Sequence, residues 1–236
     1  ITTFDALMDR LAPLSNIKKA VLEYALGDTL DIEAVKKRLV RMGYERNDQV
    51  EGAGQFAIRG GILDIFPLTE ENPYRLELWG DEIDSMRSFD VESQRSIENL
   101  EQVRIYPACE VILSEREIQE GLSRLEQEKS ELYETFRKEM KTEEAYRLKT
   151  TVENLTEEMR ELGQCSGMDS YLSYFMEETV SFFDYFDQQN TILFLDEPAR
   201  IAEKGRVVEL EFSESMQRRL EKGYILPGQM SALYSG

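Results

Sequence analysis

Between Gly52 and Phe89 the apolar residues of this chain recur at every second position, a period that admits little except a small sheet. Phe56 and Ile58 share one side of a strand, and Ile62–Phe66 is a short, strongly apolar run stopped by Pro67. Tyr74, Leu76 and Leu78 alternate with Arg75, Glu77 and Trp79 up to a Gly80-Asp81 turn. Ile83–Phe89 and Val103–Tyr106 follow as further strands. Connections this short favour an antiparallel meander. Just upstream, Asp31 is placed to cap a helix over Ile32–Met42, and Gly43 is placed to end it. That helix turns Ile32, Val35 and Leu39 to one side and Lys36, Lys37 and Arg38 to the other. A helix laid over one side of a meander predicts a compact α+β domain ending near Pro107-Ala108.

Composition removes several function classes. The formal charge is −19 over 236 residues, which opposes broad, sequence-independent binding to nucleic acid. There is no histidine, so Ser-His and Cys-His catalysis and His-ligated metal sites are excluded within the chain. Cys109 and Cys165 show no CxxC spacing and read as reduced thiols of a cytoplasmic protein. No apolar run reaches the roughly 18 residues that span a bilayer, and no segment resembles a signal peptide. Beginning at Ile1 and stopping at Ser235-Gly236, the chain reads as an excised piece of a longer protein.

Outside the meander the period is helical. A short helix is expected near Thr3–Leu11, followed by a break at Pro13 and an apolar run from Ala20 to Leu26. Ile118, Leu122, Leu125, Leu132 and Phe136 follow a 4-3 spacing, as do Leu148, Val152, Leu155, Met159 and Leu162 in a different register. That jump, with Thr142 as a cap, predicts two helices folded into a hairpin with a solvated charged face. Cys165–Tyr171 reads as a turn entering an aromatic helix, and Phe182–Phe186 as an apolar knot. Thr191–Leu195 reads as a buried strand of the parallel-sheet type, followed at once by Asp196-Glu197.

Two features carry chemistry. An acidic pair at the end of a buried strand is where nucleotide-hydrolysing α/β proteins hold magnesium, but the phosphate loop such a site needs, GxxxxGK[ST], is missing. Asp196 and Glu197 therefore read as half a site or a relic. Arg59, in a strand beside Gly60, reads equally as a partner for Asp64 or a neighbouring Glu and as a planar five-donor contact across an interface. Phe56, Phe66 and Trp79 read as core, and Met140, Met159 and Met168 as core fillers. No catalytic residue, metal site or cofactor is expected.

Several segments resemble, in order and spacing, the UvrB-like module of excision repair. They are Tyr44-Glu-Arg46, Phe56-Ala-Ile-Arg59-Gly-Gly-Ile-Leu-Asp-Ile-Phe66-Pro67, Gly80-Asp-Glu-Ile83, Ile105-Tyr-Pro-Ala108, Cys165-Ser-Gly-Met and Asp184-Tyr-Phe186. The wording around Arg59 and at Ser88-Phe-Asp-Val-Glu-Ser-Gln-Arg95 is most similar to the bacterial transcription-repair coupling factors. The resemblance implies that residues 1–26 and 187–236 are parts of a degenerate helicase-like (RecA-like) domain 1a. Into it are inserted domain 2 (27–108) and the helical hairpin of domain 1b (109–186).

It implies a non-catalytic recruitment module in which domain 2 binds the excinuclease component UvrA, and a monomer is expected. RNA polymerase and DNA would be engaged only outside this chain. The contact residues it implies are Arg46, Arg59 and Phe56 or Phe66. UvrB itself is patterned FRVRGD there, so Ala57 replaces one of its two arginines. Where UvrB reads DESH, this chain reads Asp196-Glu-Pro-Ala-Arg200, which implies a front end without nucleotide hydrolysis. The alternative is a fragment of UvrB, an ATP-dependent damage-binding protein.

Overall fold

A computed structural model of the chain describes residues 2–187 and 189–233. In chain order the first elements are α1 (Phe4–Leu7), α2 (Leu14–Ala20), β1 (Leu22–Ala25), α3 (Ile32–Arg41), β2 (Glu45–Arg46), β3 (Gln55–Arg59) and β4 (Ile62–Ile65). They are followed by β5 (Tyr74–Trp79), β6 (Glu82–Phe89), β7 (Ser96–Asn99) and β8 (Gln102–Ile105). The helices α4 (Glu115–Lys138), α5 (Thr142–Leu162), α6 (Leu172–Phe175) and α7 (Pro198–Glu221) complete the chain. Two compact units form: one is Ser15–Ile112, and the other draws on the chain before Ser15 and after Ile112.

Asp31 starts α3 by accepting from the backbone N–H groups of Glu33 and Ala34 at 3.0 and 3.1 Å. The helix stops at Gly43, whose φ of +85° suits glycine and whose added Cβ would lie 2.8 Å from that of Cys109. Val35 and Leu39 then meet Phe56, Leu63, Ile65, Leu76, Ile83 and Met86 in one core. Each such side chain contributes about 1.5–3 kcal/mol by leaving water.

The sheet runs β2-β3-β4-β5-β6-β7, each strand beside its sequence neighbour. It is antiparallel except at its first edge, where Glu45 and Arg46 pair in parallel with Gln55 and Phe56. The antiparallel meander expected from Phe56 to Phe89 is found, and β2 adds a parallel edge to it. Val103–Tyr106 is corrected: β8 leaves the meander and pairs antiparallel with β1, the apolar run of Ala20–Leu26. β1 thereby packs Leu22 into the same core as α3, so the observed unit begins upstream of residue 27.

In the second unit Ser114 and Glu117 form a capping box at the start of α4. Ile118, Leu122, Leu125 and Phe136 are buried there, as are Leu148, Val152, Leu155 and Met159 of α5, which packs along α4. Phe175 of α6 lies on Gly121, where a Cβ would come 2.1 Å from its ring. Four expectations are corrected. The helix expected over Thr3–Leu11 is only α1, because Asp9 and Leu11 form backbone bridges to Leu233 and Val180. Thr142 is the first helical residue and Lys141 the cap position, without a side-chain bond. Leu162 and Met140 are exposed, Met140 in the left-handed turn between the helices.

The fourth correction is Thr191–Leu195, which forms no strand: Ile192 is 79% and Phe194 88% exposed. Buried strands need an edge to pair with. The described residues of this unit supply isolated bridges but no strand.

Candidate functional site

Because β3 to β6 alternate, the face turned away from α3 carries Ala57, Arg59, Asp64, Arg75, Glu77 and Arg87. Cross-strand register aligns Ala57 with Asp64, Asp64 with Arg75, and Arg75 with Arg87. Asp64 is only 1% exposed, and a carboxylate so placed must be paired. Its Oδ1 accepts from Arg75 Nε at 2.7 Å, and its Oδ2 from Arg75 Nη2 at 2.8 Å and Arg59 Nη2 at 2.6 Å. Ala57, facing Asp64 directly, is small, and Arg59 reaches the carboxylate diagonally past it.

Arg75 is held further by Gln94 Oε1 at 2.9 Å and by the Phe89 ring, whose centroid is 4.2 Å from the guanidinium carbon. The bonds to Asp64 raise its pKa above the ordinary arginine value. Beside this cluster Arg87 binds Glu77 with both terminal nitrogens, and Ser85 Oγ donates to Glu77 Oε2 at 2.8 Å. These bonds, Arg87 first, hold the Glu77 carboxyl below its usual range.

Arg59 differs from its neighbours in keeping 44% of its side chain exposed. One terminal nitrogen is fixed by Asp64, and other donors remain directed away from that bond. The face therefore presents a guanidinium of set position with capacity to spare, where three arginines meet two carboxylates in an acidic chain.

The other expected contact residues scatter. Arg46 stands on edge strand β2 in register with Phe56, exposed, and its guanidinium has no ion pair among the described residues. It lies outside the Asp64 cluster. Phe56 is fully buried, which corrects its reading as a contact residue and assigns it to the core. Phe66 is half-buried just past β4, where its N–H donates to Gln55 O at 2.9 Å. Trp79, expected in the core, is exposed. The signal was available: its alternation places it with Arg75 and Glu77, not with Leu76. Met168, expected as a core filler, is half-buried.

Asp196 and Glu197 terminate no strand, which corrects their expected place at the end of a buried one. Both are exposed, and Glu197 caps α7 from a left-handed conformation with its carboxylate on Arg200 at 2.5 Å.

Residues 22–110 match the family model of the UvrB interaction domain, and residues 116–177 that of the UvrB third helical domain. Over these stretches the chain belongs to the UvrB domain families. The first match covers the sheet that carries the Asp64 cluster, and the second covers the α4–α5 hairpin through α6.

Among curated proteins, the transcription-repair-coupling factor of Bacillus subtilis (strain 168) is 37% identical over 221 residues, 94% of this chain. That of Staphylococcus aureus (strain MRSA252) is 35% identical over 239 residues, 99% of this chain. The UvrABC system protein B of Thermosipho africanus (strain TCF52B) is 36% identical over 178 residues, 73% of this chain. The chain spans 18% of the first of these relatives, 20% of the second and 27% of the third. Neither cysteine forms a disulfide among the described residues, and no helix among them is long and apolar enough to cross a membrane.

Proposed function

We propose that this chain is the recruitment region of a transcription-repair coupling factor, and that it acts by copying a docking surface of UvrB. UvrA binds the outer face of the β3–β6 sheet, with Arg59 at the centre of the contact and Arg46 and Phe66 at its border. The chain does no chemistry of its own and uses no cofactor; it brings excision repair to stalled transcription. RNA polymerase and DNA are engaged by other parts of the full protein. Residues 27–108, joined by the upstream strand β1, serve as domain 2, and 109–186 as domain 1b. The segments before β1 and from 187 to 236 are parts of a degenerate, helicase-like domain 1a, and the whole works as a cytoplasmic monomer.

The observation that carries this reading is the half-exposed Arg59 held by a buried carboxylate inside the stretch matching the UvrB interaction domain. A guanidinium fixed before binding loses less side-chain entropy on docking than a free one. The rival reading, a piece of UvrB itself, is favoured by the 36% identity to the Thermosipho protein. It predicts magnesium-dependent ATP affinity in a longer form that includes the preceding domain; the coupling-factor reading predicts none there.

Calorimetry of the chain with purified UvrA tests the proposal. Saturable binding is expected, weakened by about 1–3 kcal/mol in Arg59→Ala. Asp64 keeps Arg75 in that variant, so the sheet stays folded. A folded chain that does not bind refutes the recruitment reading.

A further inference from the structure

Resting on that docking reading, we infer that Trp79 is a second anchor of the same contact. The partner it fits is a folded protein surface offering an apolar recess beside a carboxylate, the recess for the indole and the carboxylate for Arg59. Trp79 ends β5 and is 83% exposed, among the most solvent-open large apolar side chains described. Single exposed apolar residues are ordinary, so exposure alone says little. Its placement says more.

Trp79 follows Arg75 and Glu77 on the outer face. The irregularity between β5 and β6 does not interrupt that order, because the extra residue, Asp84, lies in β6. Glu77 pairs with Ile62, and Ile62 with Arg59, so Trp79 and Arg59 border the same end of one sheet surface. Two tight turns close that end, Gly60-Gly61 and Gly80-Asp81. Gly60 and Gly80 have positive φ, and a Cβ built on either meets nothing within 4 Å. Open space thus lies beside both turns at this end of the sheet, which leaves a partner room to cover an exposed ring.

Charge restricts what covers it. In a chain of net −19, this face gathers Arg59, Arg75 and Arg87 against Asp64 and Glu77, so the complementary surface is locally acidic. Tryptophan and arginine together are the residue types that most often dominate protein interfaces, each acting once water has been excluded around it.

Trp79 is the chain's single tryptophan, so its own emission reads the proposal. The chain is titrated with purified UvrA while Trp79 fluorescence and its quenching by acrylamide are followed. The Trp79→Phe complex supplies the background of the partner's own tryptophans. Docking is expected to move the emission to shorter wavelength and to lower the quenching constant. Trp79→Ala is expected to weaken calorimetric binding about tenfold or more, with an unchanged circular dichroism spectrum.

If the chain binds and Arg59→Ala weakens it, while Trp79 emission stays put and Trp79→Ala binds like the parent, this inference is overturned and the docking reading stands. An emission shift that depends on the chain's own concentration, without partner, overturns it in favour of a contact between copies. Failure of the folded chain to bind at all removes the docking reading and this inference with it.

Discussion

Ile62-Leu-Asp-Ile-Phe66-Pro67 and Ile192-Leu-Phe-Leu195-Asp-Glu-Pro198 are close to one another in wording, each a short apolar run that ends at a proline. The first is a central strand whose Leu63 and Ile65 are fully buried. The second is extended chain without strand pairing, its apolar side chains in solvent. The difference lies in the neighbours: β4 has β3 on one side and β5 on the other, whereas the unit holding the second run offers it no strand among the described residues. An apolar run states a preference for burial, and the rest of the fold decides whether a backbone partner exists to grant it.

Amide hydrogen exchange should separate the two runs most widely. Amides of β4 that bond to β3 and β5 are expected to exchange only through cooperative opening, while those of 192–195 exchange on the timescale of free peptide. Protection across 192–195 would show that this run finds a strand after all. Next in size is Asp64→Ala, which leaves Arg59 and Arg75 without their carboxylate and is expected to cost about 3–5 kcal/mol in denaturant unfolding of the sheet unit.

Leu63→Ala should follow at about 2–5 kcal/mol. Its counterpart Leu193→Ala should stay within about 0.5 kcal/mol of the parent, as exposed positions do. Equal losses at the two leucines would erase the contrast.

The smallest effect concerns acid. The carboxyl of Glu77 titrates below its unfolded value, so its contribution is complete above the ordinary carboxylate pKa of about 4.3 and fades as pH falls through the folded value. Glu77→Gln should therefore lower stability slightly at neutral pH, where that contribution is complete, and flatten the acid limb, so that variant and parent converge as the pH falls. Unchanged acid sensitivity would place the pH response elsewhere.

How far the sequence speaks follows the same division. Asp31, Gly43 and the alternation from Phe56 to Phe89 specify α3 and four strands through local signals, and these are visible in one dimension. β7 was invisible because Ser96–Asn99 is exposed throughout and its one apolar residue, Ile97, sets no alternation. β2, two exposed residues, carries no periodicity at all. At the site, Arg59 and its pairing with Asp64 were within reach, one of two readings held open. The second arginine on Asp64 was not, because the Asp64–Arg75 alignment depends on a register that spans the loop between β4 and β5. Trp79 was misread through a habit of aromatic residues, although its own neighbours pointed outward.

The shared carboxylate of Asp64 has a consequence for how such a surface varies over time. Either arginine alone answers the buried negative charge, so only the loss of both strands it. Replacing Arg59 and Arg75 together should cost more than the two single replacements added, a redundancy that a double-mutant cycle would reveal as coupling. The residue that faces outward is thereby released from guarding the fold. Arg59 can drift to follow a changing partner while Arg75 keeps the sheet in balance, so recognition and architecture, although they meet on one side chain, are free to evolve at different speeds.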